Sequence, residues 1–394
     1  MLDRLRPQAP DALLQLIKLH AADPRPDKID LGVGVYRDES GGTPVFRAVK
    51  AAEERLLRDQ DSKAYLGPEG DLGFVRALKP WVFGAADPDR GGRITGVQTP
   101  GGTGGVRLAL ALLKRAGGRR VLLGAPSWPN HAQIVDDLAL EPVLFDHARS
   151  DGTADVDRLL ELIRAGEPGD AVILHACCHN PTGVDYTPAD WEAIAAALAD
   201  SGVFPVIDVA YQGLGEGLEE DAAGLATVLD AVPEALVAYS CDKSFGVYRD
   251  RVGALYMMAR DTDAVSAVCS NANALARATW SMPPDHGAAA VRLVLEDEGL
   301  TQQWLAELDA MRTRMRQVRE GLAAAEREVP GIGLQAAGSG NGLFAMLRLS
   351  PEQVERLRAD HGVYMAASGR INVAGLTGAN LPRFVAVLAK VAGS

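Results

Sequence analysis

The stretch AVILHACCHNPTGVDYTPADWEAIAAALADSGVFPVIDVAY, residues 171–211, contains two apolar runs separated by an amphipathic segment. In that segment Thr187 can cap a helix, Pro188 suits its first turn, and Asp190 completes a capping box. The apolar face of this helix is formed by Trp191, Ile194, Ala197 and Leu198. The order of strand, helix and strand predicts two parallel strands joined by a crossover helix.

Further apolar runs on both sides extend the predicted sheet. They are RRVLLGAP (119–126), EALVAYSCD (234–242) and RVGALYMMA (251–259). After about residue 300 the pattern changes to long helical periodicity, two short strand-like pieces, NGLFAMLRL and HGVYMAAS, and a final helix from Leu381 to Val391. The sequence therefore predicts an α/β fold with a mostly parallel central sheet and a second, mixed domain, with no linker between them.

The composition fits a globular protein of two domains. With 394 residues, 47% of them hydrophobic and 23% charged, collagen-like and disordered classes are excluded. The net charge of −12 argues against nucleic acid or an anionic membrane as a partner. No apolar run reaches the roughly 18 to 20 residues of a membrane span. Residues 1–20 lack a signal-peptide pattern and the cysteines show no disulfide or zinc spacing, so we expect a cytoplasmic protein.

A glycine-rich turn, TPGGTGGVRLALALL (99–113), runs directly into an amphipathic helix. Its free backbone N–H groups and the helix dipole suit a phosphate, although a plain structural turn explains the glycines equally well. No Gly-Lys-Ser/Thr follows, and the spacing differs from the dinucleotide fingerprint. The turn therefore indicates a phosphate site only together with other groups.

Lys243 is one such group, because it stands at the end of a predicted buried strand. Partial desolvation would lower its pKa and free the amine to form a Schiff base with a carbonyl. The alternative is a lysine that reaches out to solvent. Ser240 and Arg251 lie close in sequence and could complete a phosphate clamp, which favours the chemical interpretation.

Asp208 lies inside an apolar strand and is followed by Tyr211. A buried carboxylate needs a cationic partner, and the protonated ring nitrogen of a pyridine cofactor would be one. Tyr211 and Asn180 could then bond the ring hydroxyl, and Trp128 could stack on the ring. The alternative for Asp208 is a capping or turn residue at the end of a strand.

HACCH (175–179) has the residue types of a metal site but not the arrangement. Successive side chains of a strand point to opposite faces, so we expect buried cysteines, hydrogen-bonded histidines and no metal. A nucleophile elbow of the Gly-x-Ser-x-Gly type, which would indicate a serine hydrolase, is also missing.

Nine segments follow one another in the chain: LGVGVYRDESGGTPV, KAYLGPEG, TPGGTGGVR, PSWPNH, HACCHNPTG, DVAYQG, the segment 243–253, ARATWSMPP and ASGRINVAGL. In this order and spacing they resemble the class I pyridoxal-phosphate aminotransferases of fold type I, in particular the aspartate and aromatic-amino-acid branch. The resemblance covers nearly the whole chain. It implies an N-terminal arm (1–10), a small domain (11–43 and 311–394) and a large cofactor-binding domain (44–310).

The resemblance also implies roles for single residues. Lys243, Asp208 and Tyr211 would be catalytic, with Lys243 holding the cofactor and moving a proton, and Asp208 facing the pyridine nitrogen. The other expected cofactor contacts are Tyr65 of a second subunit, Gly102, Thr103, Trp128, His131, Asn180, Ser240 and Arg251. The expected substrate contacts are Gly34, Trp128, Asn180, Arg370 for the α-carboxylate, and Arg277 of the second subunit for a distal carboxylate.

The implied activity is the transfer of an amino group from aspartate, tyrosine or phenylalanine to 2-oxoglutarate, in two half-reactions at one site of a homodimer. The residues that resemble the aspartate-preferring pattern are Val35, Arg37, Thr43 and Thr103. Ala64 and Met282 replace polar residues of that pattern and favour aromatic substrates as well. Asp242 stands where related members of the family usually have serine. One possibility is that its carboxylate lies near the Schiff base or the phosphate. The other is that it faces away and pairs with an arginine such as Arg249.

Three alternatives remain from the sequence. An amino-acid lyase or decarboxylase of the same fold would begin from the same cofactor chemistry, although Arg277 favours transamination of dicarboxylates. A dinucleotide oxidoreductase would share the α/β pattern, but its glycine fingerprint is missing. A non-catalytic ligand sensor would not need Lys243, Asp208, Arg251 and Arg370 together.

Overall fold

The computed structural model describes residues 1–7, 12–149 and 151–392. By its internal contacts the chain divides into two compact units. The first unit combines Met1–Thr43 with Met315–Ser394, and the second is Pro44–Arg314. Residues 8–10 of the predicted N-terminal arm lie outside the described residues.

The strands are short and alternate with helices along most of the chain. The strands are β1 (Ile29–Asp30), β2 (Ile94–Pro100), β3 (Arg120–Ala125), β4 (Glu141–Asp146), β5 (Asp170–His175), β6 (Phe204–Val209), β7 (Ala235–Ser240), β8 (Val252–Met258), β9 (Phe344–Met346), β10 (Val363–Tyr364) and β11 (Arg370–Asn372).

The α-helices cover more of the chain than the strands do. They are α1 (Ala12–Ala22), α2 (Arg47–Asp59), α3 (Leu72–Phe83), α4 (Gly101–Arg115), α5 (Pro129–Asp137), α6 (Val156–Arg164), α7 (Pro188–Ser201), α8 (Ala223–Ala231), α9 (Thr262–Thr279), α10 (His286–Glu296), α11 (Glu298–Ala324), α12 (Leu334–Ser339), α13 (Pro351–His361) and α14 (Leu381–Ala392). No helix among the described residues is both long and apolar enough to span a membrane.

The second unit is built on a seven-stranded sheet of order β2-β8-β7-β6-β5-β3-β4. Strands β4, β3, β5, β6 and β7 are parallel, and β8 is antiparallel to both of its neighbours, β7 and β2. The predicted α/β class with a mostly parallel central sheet is therefore confirmed. Strands β5, β6, β7 and β8 are almost entirely buried, which explains their continuous apolar runs.

Helix α7 shows how the sequence sets local structure. The Thr187 hydroxyl accepts a hydrogen bond from the backbone N–H of Asp190 at 3.2 Å, and the Asp190 carboxylate accepts one from the N–H of Thr187 at 2.9 Å. This is the predicted capping box. Gly202 ends the helix at φ +72°, a left-handed conformation that favours glycine.

Two strands of the sheet lie outside the sequence predictions. Strand β4 is an edge strand whose apolar run, residues 142–145, is short and mostly not buried, with Leu144 exposed. Strand β2 buries two polar residues, Gln98 and Thr99, and its sequence therefore does not stand out as apolar. Both strands are held by pairing with their neighbours, which a local pattern does not reveal.

The first unit contains two small strand pairs and its own apolar core. Strand β1 pairs parallel with β10, and β9 pairs antiparallel with β11. The core combines residues of the last turns of α11 with residues of α13 and α14, among them Leu322, Leu357, Phe384 and Leu388. The final predicted helix is confirmed as α14. The strand-like pieces 341–349 and 361–368 contain only the short strands β9 and β10.

Candidate active site

Polar side chains gather at the carboxyl end of the parallel strands in the second unit. Asp208 lies near the end of β6, Lys243 follows β7, and Asn180 lies in the turn after β5. His131 lies in α5, which begins shortly after β3. This is the edge at which open α/β sheets bind ligands. The register of β5 and β6 places His175 directly beside Asp208.

Lys243 does not reach out into solvent. Its side chain is half-buried, and the amine Nζ lies 5.2 Å from the centroid of the Tyr211 ring. Burial lowers the pKa of the Lys243 amine, and the nearby carboxylates of Asp242 and Asp208 only partly oppose this effect. The neutral amine that a nucleophile or base requires is therefore easier to form at Lys243 than at a solvent-exposed lysine.

Asp208 is a buried carboxylate that is hydrogen-bonded to a histidine. Its Oδ2 lies 2.9 Å from His131 Nε2, and His131 Nδ1 lies 3.0 Å from the Ser127 hydroxyl. Burial alone would raise the pKa of Asp208, but the hydrogen bond from His131 and the positive charges nearby outweigh it and lower that pKa. An ionised Asp208 only accepts hydrogen bonds, so His131 Nε2–H donates to it and Ser127 can donate to Nδ1.

Asn180 and Tyr211 form a second polar pair at this edge. The Asn180 amide Nδ2 donates to the Tyr211 hydroxyl at 3.4 Å. Asn180 Oδ1 is buried and has no hydrogen-bond partner among the described residues. A buried acceptor without a partner is costly unless another molecule supplies a donor. The turn that carries Asn180 is fixed by Asp185, whose carboxylate accepts the N–H groups of Cys178 and His179, both at 2.9 Å.

The glycine-rich turn leads into α4 with little room for side chains. Gly101 has φ +68°, and a Cβ on Gly102 would lie 2.8 Å from the Cβ of Ser240. Thr103 follows in the first turn of α4 and is partly exposed. Ser240 therefore lines the start of α4, as the sequence suggests for a phosphate clamp.

Arg251 lies against the same turn, but its guanidinium is already paired. Nη1 of Arg251 forms an ion pair with Oδ2 of Asp242 and also donates to the Tyr248 carbonyl at 3.0 Å. Asp242 Oδ1 accepts the N–H of Val252 at 3.3 Å. The suggested pairing of Asp242 with Arg249 is wrong. Strand β7 ends at Ser240, so the alternation of strand side chains does not extend to Asp242.

Trp128 stands immediately before α5 and is half-exposed. Its ring meets the His131 ring edge-on, with centroids 5.1 Å apart. The two rings are nearly perpendicular, so the indole is not in parallel stacking contact with His131.

Tyr65 and Arg277 are not part of this buried group. The Tyr65 side chain is 94% exposed, and Arg277 lies on the exposed side of α9, where its Nη1 donates to the Ser281 hydroxyl. Met282 is nearby in sequence, and its sulfur accepts the N–H of Leu66 at 3.1 Å. A single chain does not enclose these residues.

Gly34 and Arg370 belong to the first unit. Arg370 Nη2 donates to the Gly32 carbonyl at 3.0 Å, and its guanidinium lies 4.7 Å from the centroid of the Phe344 ring. A Cβ on Gly34 would lie 2.6 Å from the same ring, so a larger residue does not fit there. Asn372, which the sequence analysis missed, holds this loop by donating to the Val35 carbonyl at 2.7 Å.

Two groups of metal-binding residue types lie close together among the described residues: His131 with His175 and Asp208, and Cys177 with Cys178 and Asp221. The argument from strand alternation fails after His175, because β5 ends there. The carboxylate of Asp221 accepts three backbone N–H groups, those of Gly213, Gly215 and Glu216. Asp208 is bonded to His131. Both carboxylates thus have partners without an ion, and the absence of a metal site stays a prediction.

Comparison with known proteins gives matches over nearly the whole chain. The family model described as aminotransferase class I and II matches residues 26–388. Tyrosine aminotransferase of Rhizobium meliloti (strain 1021) is 52% identical over 377 residues, which are 95% of this chain and 96% of that protein. Aspartate aminotransferase of Escherichia coli (strain K12) is 40% identical over 392 residues, 97% of each protein.

A solved structure gives the same result. The aromatic-amino-acid aminotransferase from Burkholderia pseudomallei, covalently bound to pyridoxal phosphate, has a TM-score of 0.95 and 34% sequence identity to this chain. The match covers 100% of this chain and 99% of that one. Similarity at this level extends over the strands, turns and helices that carry the polar groups described above.

Proposed function

The chain belongs to the class I and II aminotransferases, and we propose that it transfers amino groups from aspartate and the aromatic amino acids tyrosine and phenylalanine to 2-oxoglutarate. Its cofactor is pyridoxal 5′-phosphate. The observation that carries this proposal is the group formed by Lys243, Asp208 with His131, and Asn180 with Tyr211 at one edge of the sheet.

The residues present fit this cofactor. The buried Oδ1 of Asn180 lacks a hydrogen-bond partner, so the site has a polar atom ready for a ligand. Ser240 packs against Gly102, which brings its side chain to the N-terminus of α4, where a phosphate would bind. Asp208 supplies the buried carboxylate that a protonated pyridine nitrogen would pair with.

Each residue of the group then has a defined task. Pyridoxal phosphate supplies a carbonyl carbon that bonds to amines and a protonated ring that accepts the electron pair released at the substrate Cα. Lys243 holds the cofactor covalently between turnovers and, as a neutral amine, carries the proton that leaves Cα. Asp208 keeps the ring nitrogen protonated, and His131 holds the Asp208 carboxylate in place.

The remaining contacts position the reactants. We assign Tyr211 and Asn180 to the ring oxygen of the cofactor and Trp128 to the ring face. The phosphate contacts are Gly102, Thr103, Ser240, Arg251 and, from a second subunit, Tyr65. Arg370 binds the α-carboxylate through a bidentate guanidinium pair, Arg277 binds a distal carboxylate, and Gly34 lines the substrate side.

One site would serve both half-reactions of this ping-pong mechanism, because each needs the same base, the same carboxylate for the ring nitrogen and the same carboxylate clamps. In the first half-reaction an amino acid would be converted to its 2-oxo acid, and in the second another 2-oxo acid would be converted to its amino acid. The cofactor would supply the group that stores the nitrogen between them. No additional oxidant or reductant is required.

A screen of amino donors with 2-oxoglutarate as the acceptor tests the proposed substrates. Aspartate, tyrosine, phenylalanine and cysteine sulfinate are compared, with glutamate measured as the common product. We expect turnover with both aspartate and the aromatic donors. Release of carbon dioxide or ammonia without formation of glutamate would favour the lyase or decarboxylase alternative instead.

We also propose a homodimer whose two subunits share each active site, because Tyr65 and Arg277 are exposed in the single chain. Lys243→Ala and Arg277→Ala should each be inactive with aspartate. If the two variants are mixed and exchange subunits, one site of each mixed dimer has both residues intact, so activity should return to roughly a quarter of the wild-type level. A mixture that stays inactive despite proven subunit exchange would contradict the shared site.

Three further assignments accompany this function. The four cysteines, Cys177, Cys178, Cys241 and Cys269, are free thiols, which supports a reducing, cytoplasmic setting. We also propose that the first and second structural units correspond to the small and large domains of the family. We further propose that substrate and cofactor are the only small-molecule partners, with no nucleic acid or membrane partner.

A further inference from the structure

The carboxylate of Asp242 lies inside the region assigned to the cofactor phosphate. Its side chain is only 5% exposed, and it is paired with Arg251, whose side chain is 40% exposed. A Cβ placed on Gly101 would lie 3.1 Å from Oδ2 of Asp242. The carboxylate therefore lies against the first residue of α4, in the same place where an incoming phosphate needs positive charge.

Two basic side chains lie close to Asp242. Arg251 and the neighbouring Lys243 attract its carboxylate, and the N–H of Val252 donates to it. The N–H of Asp242 itself donates to the Ser240 hydroxyl at 3.3 Å, so Asp242 and Ser240 are held together. Because the guanidinium of Arg251 is matched by one carboxylate, the pair has no net positive charge to offer a phosphate.

A phosphate dianion at the start of α4 must therefore compete with this carboxylate. Two anions close to one guanidinium repel each other, and in a partly buried site this repulsion is much less screened than in water. A neutral side chain at position 242, such as the serine that the resemblance to the family implies, would leave Arg251 entirely to the phosphate.

We propose that Asp242 is the counter-ion of Arg251 before the cofactor binds, and that the cofactor phosphate displaces this carboxylate from the guanidinium. The inference rests on the proposed function, since it takes the phosphate to bind between α4, Ser240 and Arg251. As a consequence, this chain holds the phosphate group less tightly than a variant with a neutral residue at position 242.

Equilibrium dialysis of the full-length, cofactor-depleted protein against pyridoxamine 5′-phosphate at pH 8 tests the proposal. This amine form binds without a covalent bond to lysine, so its Kd reports on the noncovalent contacts. We expect Asp242→Asn and Asp242→Ser to bind it at least about tenfold more tightly than the wild type, or about 1.4 kcal/mol. The Kd for pyridoxamine, which lacks the phosphate, should not change.

Asp170→Asn is a matched control. Asp170 is also a buried carboxylate paired with an arginine, Arg120, but it lies at the start of β5, at the opposite end of the strand from the site. Its replacement should leave the Kd for pyridoxamine 5′-phosphate within about twofold of the wild-type value, as expected for a charge beyond a Debye length of roughly 10 Å.

Three results would overturn the inference. Equal or weaker phosphate binding by both folded variants would show that Asp242 holds Arg251 in position for the phosphate instead of competing with it. A gain that also appears with pyridoxamine would show that the phosphate is not involved. If the wild-type protein binds no pyridoxamine 5′-phosphate at all, the proposed function fails, and this inference fails with it. Should Asp242→Asn not fold, Asp242→Ser alone decides between these outcomes.

Discussion

Replacement of Lys243 by alanine should lower kcat/KM for transamination by at least about ten-thousandfold. The half-buried amine of Lys243 is assigned two tasks, covalent attachment of the cofactor and transfer of the proton from Cα. General acid–base catalysis alone contributes roughly 10² to 10⁴ in rate, and the loss of covalent attachment adds to it. Steady-state kinetics with aspartate and 2-oxoglutarate measures the effect.

One further variant separates the amine from its charge, and a second serves as a control. Lys243→Arg keeps a positive charge near Asp208 and Asp242 but supplies no amine of low pKa, so it should be about as inactive as Lys243→Ala. Lys114→Ala removes an exposed lysine of α4 whose Nζ donates to the Ala139 carbonyl, and it should keep nearly full activity. Activity of Lys243→Arg within tenfold of the wild type would refute the role of the amine.

Replacement of Asp208 by asparagine should lower kcat by about a thousandfold. An amide has almost the same shape as the carboxylate and can still bond His131, but it carries no charge to keep the ring nitrogen protonated. A unit charge at about 4 Å in a partly buried site is worth about 4 kcal/mol, which corresponds to roughly a factor of a thousand in rate. The rates of both half-reactions, measured separately by rapid mixing, should fall together.

Asp170→Asn again serves as the control, because it removes a buried carboxylate outside the site. Its kcat should stay close to that of the wild type.

The pKa of Asp208 lies below the ordinary range of an aspartate, so its carboxylate is ionised at neutral pH and loses its charge only as the pH falls through that lowered pKa. A loss of less than tenfold in Asp208→Asn would mean that this charge does not support catalysis.

Local patterns in the sequence predicted five of the seven strands of the sheet and its best-defined helix. The continuous apolar runs of β5, β6, β7 and β8 arise because these strands are buried on both faces. The N-terminus of α7 depends on hydrogen bonds between residues three apart, so its capping box can be read directly from Thr187 and Asp190. The positions of Asp208 and Lys243 near strand ends follow from the same runs.

The sequence patterns did not identify two kinds of residue. Some have partners that are distant in sequence, and others are polar residues of a type common in any turn. Asn372 holds a loop more than three hundred residues away, and Ser127 and Asp185 are short polar residues that look like any turn residue. The pair of Asp242 with Arg251 lies beyond Ser240, where β7 ends, so the strand pattern does not reveal it. The roles of Tyr65 and Arg277 depend on a second subunit, which a single sequence does not display.

The most direct test of the account is to identify the lysine that holds the cofactor. The intact protein is incubated with pyridoxal phosphate and treated with borohydride, which fixes the cofactor to its lysine, and the labelled peptide is then mapped by mass spectrometry. The account predicts one labelled peptide containing Lys243, with the remaining lysines unmodified. A label on another lysine, or no stable label at all, would contradict the assignment of the site at the end of β7.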